Sequence, residues 1–221
     1  MDDYSKSGFI AHLIKINKLD ECDLDHFVFF PQMMFRSMEK WWNGGGVRPV
    51  PHEGLDLCFF VNSRNDKFRL DETIRISMIY DGIIVQVMDD YLGKTVIVSH
   101  HPDGKTQSSL LTIYGHVFPD DNLRVGDKIN EGDVFATIAE IDNRQTTLLP
   151  HLHISLARPD MLSPVDQLTW ALLNKIDRSV FINPIDVLCL NHTIMEYDKT
   201  VDLAKTFCKC SLAHKKFLRG F

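Results

Sequence analysis

His151-Leu152-His153, read together with His52-Glu53-Gly54-Leu55-Asp56 about a hundred residues earlier, decides between a sheet and a helix for this part of the chain. Side chains alternate faces along an extended strand. His151 and His153 are two apart, so a strand puts both on one face. His52 and Asp56 are four apart and share a face in the same way. On a helix, residues two apart splay by about 200°. The second pair therefore converges only if its segment is a strand.

The surrounding sequence agrees with that reading. From about Leu55 to Leu156 the periodicity is that of strands, as in Leu57-Cys58-Phe59-Phe60-Val61, Ile74-Arg75-Ile76-Ser77-Met78-Ile79, Ile83-Ile84-Val85-Gln86-Val87 and Thr95-Val96-Ile97-Val98. Gly, Asp or Asn turn residues bound each run. Short strands at regular spacing predict a mainly β chain with an antiparallel sandwich or barrel-like core.

Helices are expected around that core. Residues 7–18 carry Phe9, Leu13 and Ile16 at helical spacing, with Ser5 or Ser7 as a cap. Residues 20–46 are mixed, and Asn43-Gly44-Gly45-Gly46 marks a turn. Pro49 and Pro51 then lead the chain, extended, into His52. Residues 163–177 open on Ser163-Pro164 and continue through Val165, Leu168, Ala171, Leu172 and Ile176, a helix with Pro at its first position. Residues 198–218 predict a last helix, with Val201, Ala204, Phe207 and Cys208 on one face. Lys199, Lys205, Lys209, Lys215 and Lys216 dominate elsewhere on it. A basic amphipathic helix can bind membranes or partners, but a terminal helix docked on the sheet with solvated lysines is the plainer reading. On such a helix Cys208 and Cys210 point to different faces and are free thiols, not metal ligands. The expected organisation is an N-terminal extension (1–47), a β domain (48–190) interrupted by the helix at 163–177, and a C-terminal helical extension (191–221).

Composition narrows the function classes. The chain has 221 residues, 44% of them apolar and 24% charged, which is ordinary for a soluble globular protein. The net charge of −6 offers no basic surplus for nucleic acid. No run approaches the length of a membrane span. The N-terminus opens on Asp2 and Asp3, and its apolar stretch is broken by His12 and followed by Lys15, unlike a secretory signal. Five cysteines, an odd number without regular spacing, predict no disulfide framework. Both features favour a reducing compartment. The sequence leaves the oligomeric state open.

The chemistry follows from residue types. Two His and one Asp make a recurrent catalytic zinc set, which fills three positions and leaves a fourth for water. Ten histidines make a single H-x-H pair unremarkable by itself; order and surroundings give it weight. A third element, Tyr114-Gly115-His116, lies between the two motifs at the end of the apolar run Leu110-Leu111-Thr112-Ile113. The H-E-x-x-H helix of another zinc-protease class is absent. Glu53 lies between ligand positions and should point away from the metal. Nothing in the spacing separates ligand from non-ligand within His151-Leu152-His153.

The set His52-x-Gly54-x-Asp56, Tyr114-Gly115-His116 and Pro150-His151-Leu152-His153 resembles the lysostaphin-like, or LytM-type, zinc endopeptidases. The resemblance runs from about Arg48 to about Leu188. It takes in Asp81-Gly82-Ile83-Ile84-Val85, the stretch from Val125 to Ile138, and a closing Ile182-Asn183-Pro184. It implies one zinc ion per chain held by His52, Asp56 and His153, with His116 and His151 handling charge and protons. It also implies a peptide substrate, such as peptidoglycan stem peptides. That substrate lies outside the cytoplasm, so either an export segment precedes this chain or the protein acts inside the cell. Gly126 to Ile138 also looks like the hairpin of biotinyl carriers, but lacks a modifiable lysine at a tip.

Two departures bear on substrate. The family's Gly-rich loop ahead of the H-x-H strand is replaced by Ile141-Asp142-Asn143-Arg144-Gln145-Thr146-Thr147-Leu148-Leu149-Pro150. The stretch between Asp56 and Gly82 is longer and more charged, with Arg64, Asp66, Lys67 and Arg69. Such loops line the family's cleft, so the preference for glycine or D-amino-acid peptides is what these changes put in doubt. A non-catalytic binding or regulatory module on the same fold is the second functional class. Degenerate members of that kind lose ligands, and this chain keeps them.

Overall fold

The computed structural model describes residues 4–100, 110–141, 146–158 and 167–210. Its strands are β1 (Leu24–Phe29), β2 (Gly54–Leu57), β3 (Phe59–Asn62), β4 (Lys67–Arg69), β5 (Arg75–Ser77), β6 (Gly82–Asp89) and β7 (Lys94–His100). They continue as β8 (Leu110–Pro119), β9 (Lys128–Ile129), β10 (Val134–Ile138), β11 (Leu152–Ala157), β12 (Phe181–Ile182), β13 (His192–Ile194) and β14 (Cys208–Lys209). The fold is mainly β, as the periodicity predicts, and no closed barrel forms among the described residues.

The larger sheet runs β12-β11-β8-β7-β6-β9, with β2 beside β11 and β10 bridging β8 and β5. Its pairings are antiparallel. Its central strands read as nearly continuous apolar runs because both faces are covered. Val96, Val98, Leu110 and Tyr114 join the main core, while Ile97, Leu111 and Ile113 face the opposite way into a smaller cluster with Leu168, Leu173 and Phe181. The smaller sheet, β13-β1-β3-β4-β14, is mixed. Phe27, Phe29, Phe30, Phe59 and Phe60, all in or beside its strands, are buried in the main core.

Helix α1 (Phe9–Ile16) forms where expected and buries Phe9, Ile10 and Leu13; Ser7 Oγ accepts the Phe9 amide at 3.0 Å. Three expectations are corrected. The run Leu57 to Val61 is not one strand: the chain breaks at Cys58, leaving Leu57 in the larger sheet and Phe59 in the smaller. The helix at 163–177 shortens to α2 (Trp170–Leu173), with residues 163–166 outside the described set. Thr169 caps that turn through its side chain, and Asp177 caps a separate 3-10 turn at Arg178–Val180, so polar caps divide the segment. After α3 (Ile185–Leu188), the C-terminal helix shortens to α4 (Leu203–Thr206).

Within that last segment, Asp202 caps the start of α4, buried Phe207 anchors its end, and Cys208 lies on β14. Residues 211–218, with Lys215 and Lys216, lie outside the described residues. The expectation of free thiols throughout is also corrected. Cys22 and Cys210 are joined, with Cα atoms 6.6 Å apart, tying the chain ahead of β1 to the residue after β14. An odd count and irregular spacing say nothing about a single long-range pair. No described helix is long and apolar enough to cross a membrane.

Candidate metal centre

The centre is assembled by sheet register. β11 pairs with β2 so that His153 stands opposite Asp56, and with β8 so that His153 stands opposite Gly115. Gly54 allows this approach: a Cβ there would fall 2.4 Å from the Ile154 carbonyl oxygen and 2.6 Å from Ser155 Oγ. Any side chain would force β2 and β11 apart. His52 precedes β2, so its placement does not come from strand alternation. The segment before it fixes it instead, through His52 N to the Ser37 carbonyl (2.9 Å) and Arg36 N to the His52 carbonyl (2.7 Å).

The donor atoms converge. Asp56 Oδ1 lies 2.9 Å from His153 Nδ1 and 3.2 Å from His52 Nε2, and those two nitrogens are 3.2 Å apart. Tetrahedral zinc with bonds of about 2.0–2.1 Å needs ligand–ligand edges of roughly 3.3 Å. The triangle is thus nearly one face of such a site, slightly tightened. All three residues are buried, and this group can hold a metal ion. The outer ring atoms are occupied, as in ligating histidines generally. His52 Nδ1 is 3.1 Å from the Met34 carbonyl oxygen, and His153 Nε2 is 2.9 Å from Ser155 Oγ and 3.4 Å from Glu53 Oε1.

Glu53 does point away from the three donor atoms, yet it is buried against the far side of the His153 ring rather than exposed. Burial works against its charge, but the hydrogen bond and charge of His153 hold its carboxyl down at about 2. Burial likewise opposes charge on Asp56, and the facing His52 and His153 still keep it well below the usual carboxylate range. Burial would lower His153, but Asp56 and Glu53 on its two nitrogens push it up to about 10.

The remaining two histidines flank the triangle. His151 lies directly before β11; its Nδ1 is 2.8 Å from the Leu149 carbonyl oxygen and its Nε2 is 3.7 Å from Asp56 Oδ1. Burial pushes it down to about 3, which keeps the ring neutral. His116 sits on a β-bulge. Lys94 pairs with Val117 and Val96 with Tyr114, so Gly115 and His116 together face Thr95. His116 takes a left-handed φ of 61° there. Strained backbone of this kind clusters at functional sites. The bulge also takes its N–H out of the ladder, and Asp90 Oδ2 accepts it at 3.2 Å.

Asp90, in the turn between β6 and β7, was not foreseen. Its Oδ2 also lies 2.9 Å from His116 Nδ1, a close but bent contact. Thr95 Oγ1 donates to the same oxygen at 2.9 Å, and Trp170 Nε1 donates to Thr95 Oγ1 at 2.9 Å. An Asp and a Thr five residues apart in a hairpin read as ordinary turn and strand residues. The available sequence signal was compositional: all three tryptophans, Trp41, Trp42 and Trp170, lie around this centre.

The five predicted site residues line a single cleft of about 250 Å³, whose walls include Trp42, Arg48, Tyr91, Leu148 and Trp170. Of the substituted loop, Leu148 faces this cleft, while Arg144 and Gln145 lie outside the described residues.

No family model matches the chain, and no curated protein does. Among solved structures, lysostaphin in solution aligns with 63% of this chain and 44% of its own, at 18% identity and a TM-score of 0.41. Csd3 of Helicobacter pylori in its orthorhombic crystal aligns with 89% of this chain and 42% of its own, at 17% identity and a TM-score of 0.38. In the hexagonal crystal Csd3 covers 75% and 35%, at 16% identity and a TM-score of 0.37. The chain spans less than half the length of each of these matches.

Proposed function

We propose that this chain is a zinc-dependent endopeptidase that hydrolyses peptide bonds, with peptidoglycan cross-links or related peptides as its substrate class. The observation that carries the reading is the near-tetrahedral triangle of His52, Asp56 and His153 at the floor of a cleft shared with two further imidazoles. The motif resemblance to LytM-type peptidases agrees with it.

His52 Nε2, Asp56 Oδ1 and His153 Nδ1 would hold one zinc ion. When bound, that ion supplies Lewis acidity toward a carbonyl and makes water nucleophilic near neutral pH. The chain's own groups do the rest. Peptide hydrolysis needs a proton taken from water and one delivered to the leaving amine, tasks suited to imidazole. His151, with Nδ1 turned to the Leu149 carbonyl, has Nε2 as its accepting nitrogen. His116, with Asp90 beside its Nδ1, offers Nε2 to the cleft, and the Asp90 carboxylate stabilises positive charge on the ring as it forms. Leu148 and the aromatic walls position a peptide and exclude water around it.

The test is elemental analysis beside peptide hydrolysis. Wild type should carry about one zinc, and His153→Ala should lose most of it, since two ligands do not close the site. His116→Ala and His151→Ala should keep zinc and lose roughly 10²-fold or more in rate. Equal zinc in wild type and His153→Ala would sink the ligand assignment. For substrate, release of new amino termini is compared for pentaglycine, D-alanine-containing stem peptides and an unrelated unstructured protein. Poor pentaglycine cleavage is expected, because Leu148 stands in the cleft wall where the family's loop is Gly-rich. A zinc-loaded protein that cleaves none of the three would instead favour the binding module.

A further inference from the structure

The carboxylate of Asp56 has two ends with different surroundings. Oδ1 faces the imidazoles of His52, His153 and His151. Oδ2 faces away from them, toward residues that precede β2 in the chain. Trp41 Nε1 donates to it at 2.8 Å, and Arg48 Nη2 lies 3.4 Å away. Trp41 is fully buried. An indole N–H in such a place has no water to turn to, so it depends on this acceptor.

Both donors are themselves held in position. The Trp41 ring meets His151 edge-on at 5.2 Å, Phe59 at 6.0 Å and Trp42 at 6.0 Å. Arg48 donates through Nε to the Glu39 carbonyl (3.0 Å) and through Nη2 to the Gln32 carbonyl (3.2 Å), and its guanidinium lies over the Trp42 ring at 4.7 Å. Arg48 is thereby locked as a fork with one arm on Asp56.

We propose that Trp41 and Arg48 are positioning residues for the metal ligand Asp56, occupying Oδ2 so that Oδ1 alone is presented to the ion. This rests on the zinc reading above. Outer-sphere partners of ligating groups commonly contribute 10- to 100-fold in metal affinity. A buried carboxylate without these donors could rotate or offer both oxygens, filling the position that a catalytic site keeps open. The segment 41–48 is then part of the metal centre although it carries no ligand.

The test is zinc affinity, measured by competition with a chromophoric chelator on full-length protein, with circular dichroism and thermal melting on the same samples. Trp41→Phe keeps a ring against His151 and removes the N–H. Arg48→Met keeps an apolar stem over Trp42 and removes the charge. Phe59→Leu disturbs the packing around Trp41 without touching Asp56. Trp41→Phe should weaken zinc binding about tenfold or more, and Arg48→Met by a smaller factor. Phe59→Leu should lower the melting temperature and leave affinity near wild type. Equal affinity in Trp41→Phe and wild type overturns the proposal, as does an equal loss in Phe59→Leu. Should Trp41→Phe not fold, Arg48→Met decides alone, and unchanged affinity there overturns it. A wild type that binds no zinc fails the metal reading itself, an outcome separate from failure of the brace.

Discussion

Asp90 stands behind His116 as a carboxylate behind an imidazole, with Oδ2 2.9 Å from Nδ1 and 3.2 Å from the same residue's backbone N–H. The backbone hydrogen bond holds the strained bulge, and the same oxygen sets a negative charge beside the ring. Removing the charge should therefore lower the rate without touching the ion. Asp90→Asn should lose roughly 10²- to 10⁴-fold in kcat/KM, the scale known for acid–base groups and the carboxylates that orient them. Zinc content should stay at the wild-type value. A variant with full activity would show that His116 needs no such partner.

The same carboxylate predicts a pH dependence of stability. Burial opposes its charge, but His116, the Tyr91 amide and Thr95 Oγ1 hold its pKa at about 2, against an ordinary 3.8. A group whose folded pKa is depressed contributes stability above its unfolded pKa and loses it as pH falls through the folded one. The window is therefore about 3.8 down to 2, and the contribution is about 2 kcal/mol. Urea unfolding of wild type and Asp90→Asn should show a stability difference that shrinks across that window. A constant difference would mean that the carboxylate's charge is not what stabilises.

Gly54→Ala tests the close approach of β2 and β11. Its Cβ would meet backbone at 2.4 Å, which no rotamer relieves. The variant should lose about 1–3 kcal/mol, the usual cost of overpacking. It should also hold zinc less tightly, because His153 and Asp56 are opposed across that strand pair. Wild-type melting and wild-type zinc in this variant would show that the strands yield without cost.

Joining Cys22 to Cys210 closes a span of 188 residues. Cys22→Ser should cost about 2–4 kcal/mol. Reductant should lower the melting temperature of wild type to about that of the variant and leave the variant unmoved. Equal sensitivity in both would place the effect elsewhere.

What could be read from the sequence was local or periodic. The β-rich character and helix α1 followed from periodicity, and the grouping of His52, Asp56, His116, His151 and His153 from the order of motifs that carries the family resemblance. What could not be read was contact between distant segments. Trp41 and Arg48 sit in a stretch with no periodicity, and their role exists only because that stretch folds over Asp56. Glu53 points away from the donor atoms as alternation requires, but its burial against His153 comes from the pairing of β2 with β11. The shortened helices reflect capping residues, Thr169, Asp177 and Asp202, that interrupt otherwise helical patterns.

Cys58 is a single-residue joint between the two sheets: Leu57 belongs to one and Phe59 to the other. Asp56 is two residues from that joint. Amide exchange at 57 and 59 should therefore proceed only through global opening, because neither sheet can release its end of so short a link while the other stays closed. The strand that carries Asp56 and the smaller sheet then form one cooperative unit, and, on the zinc reading, chelation should speed exchange in β1 and β3, strands that carry none of the three donor residues.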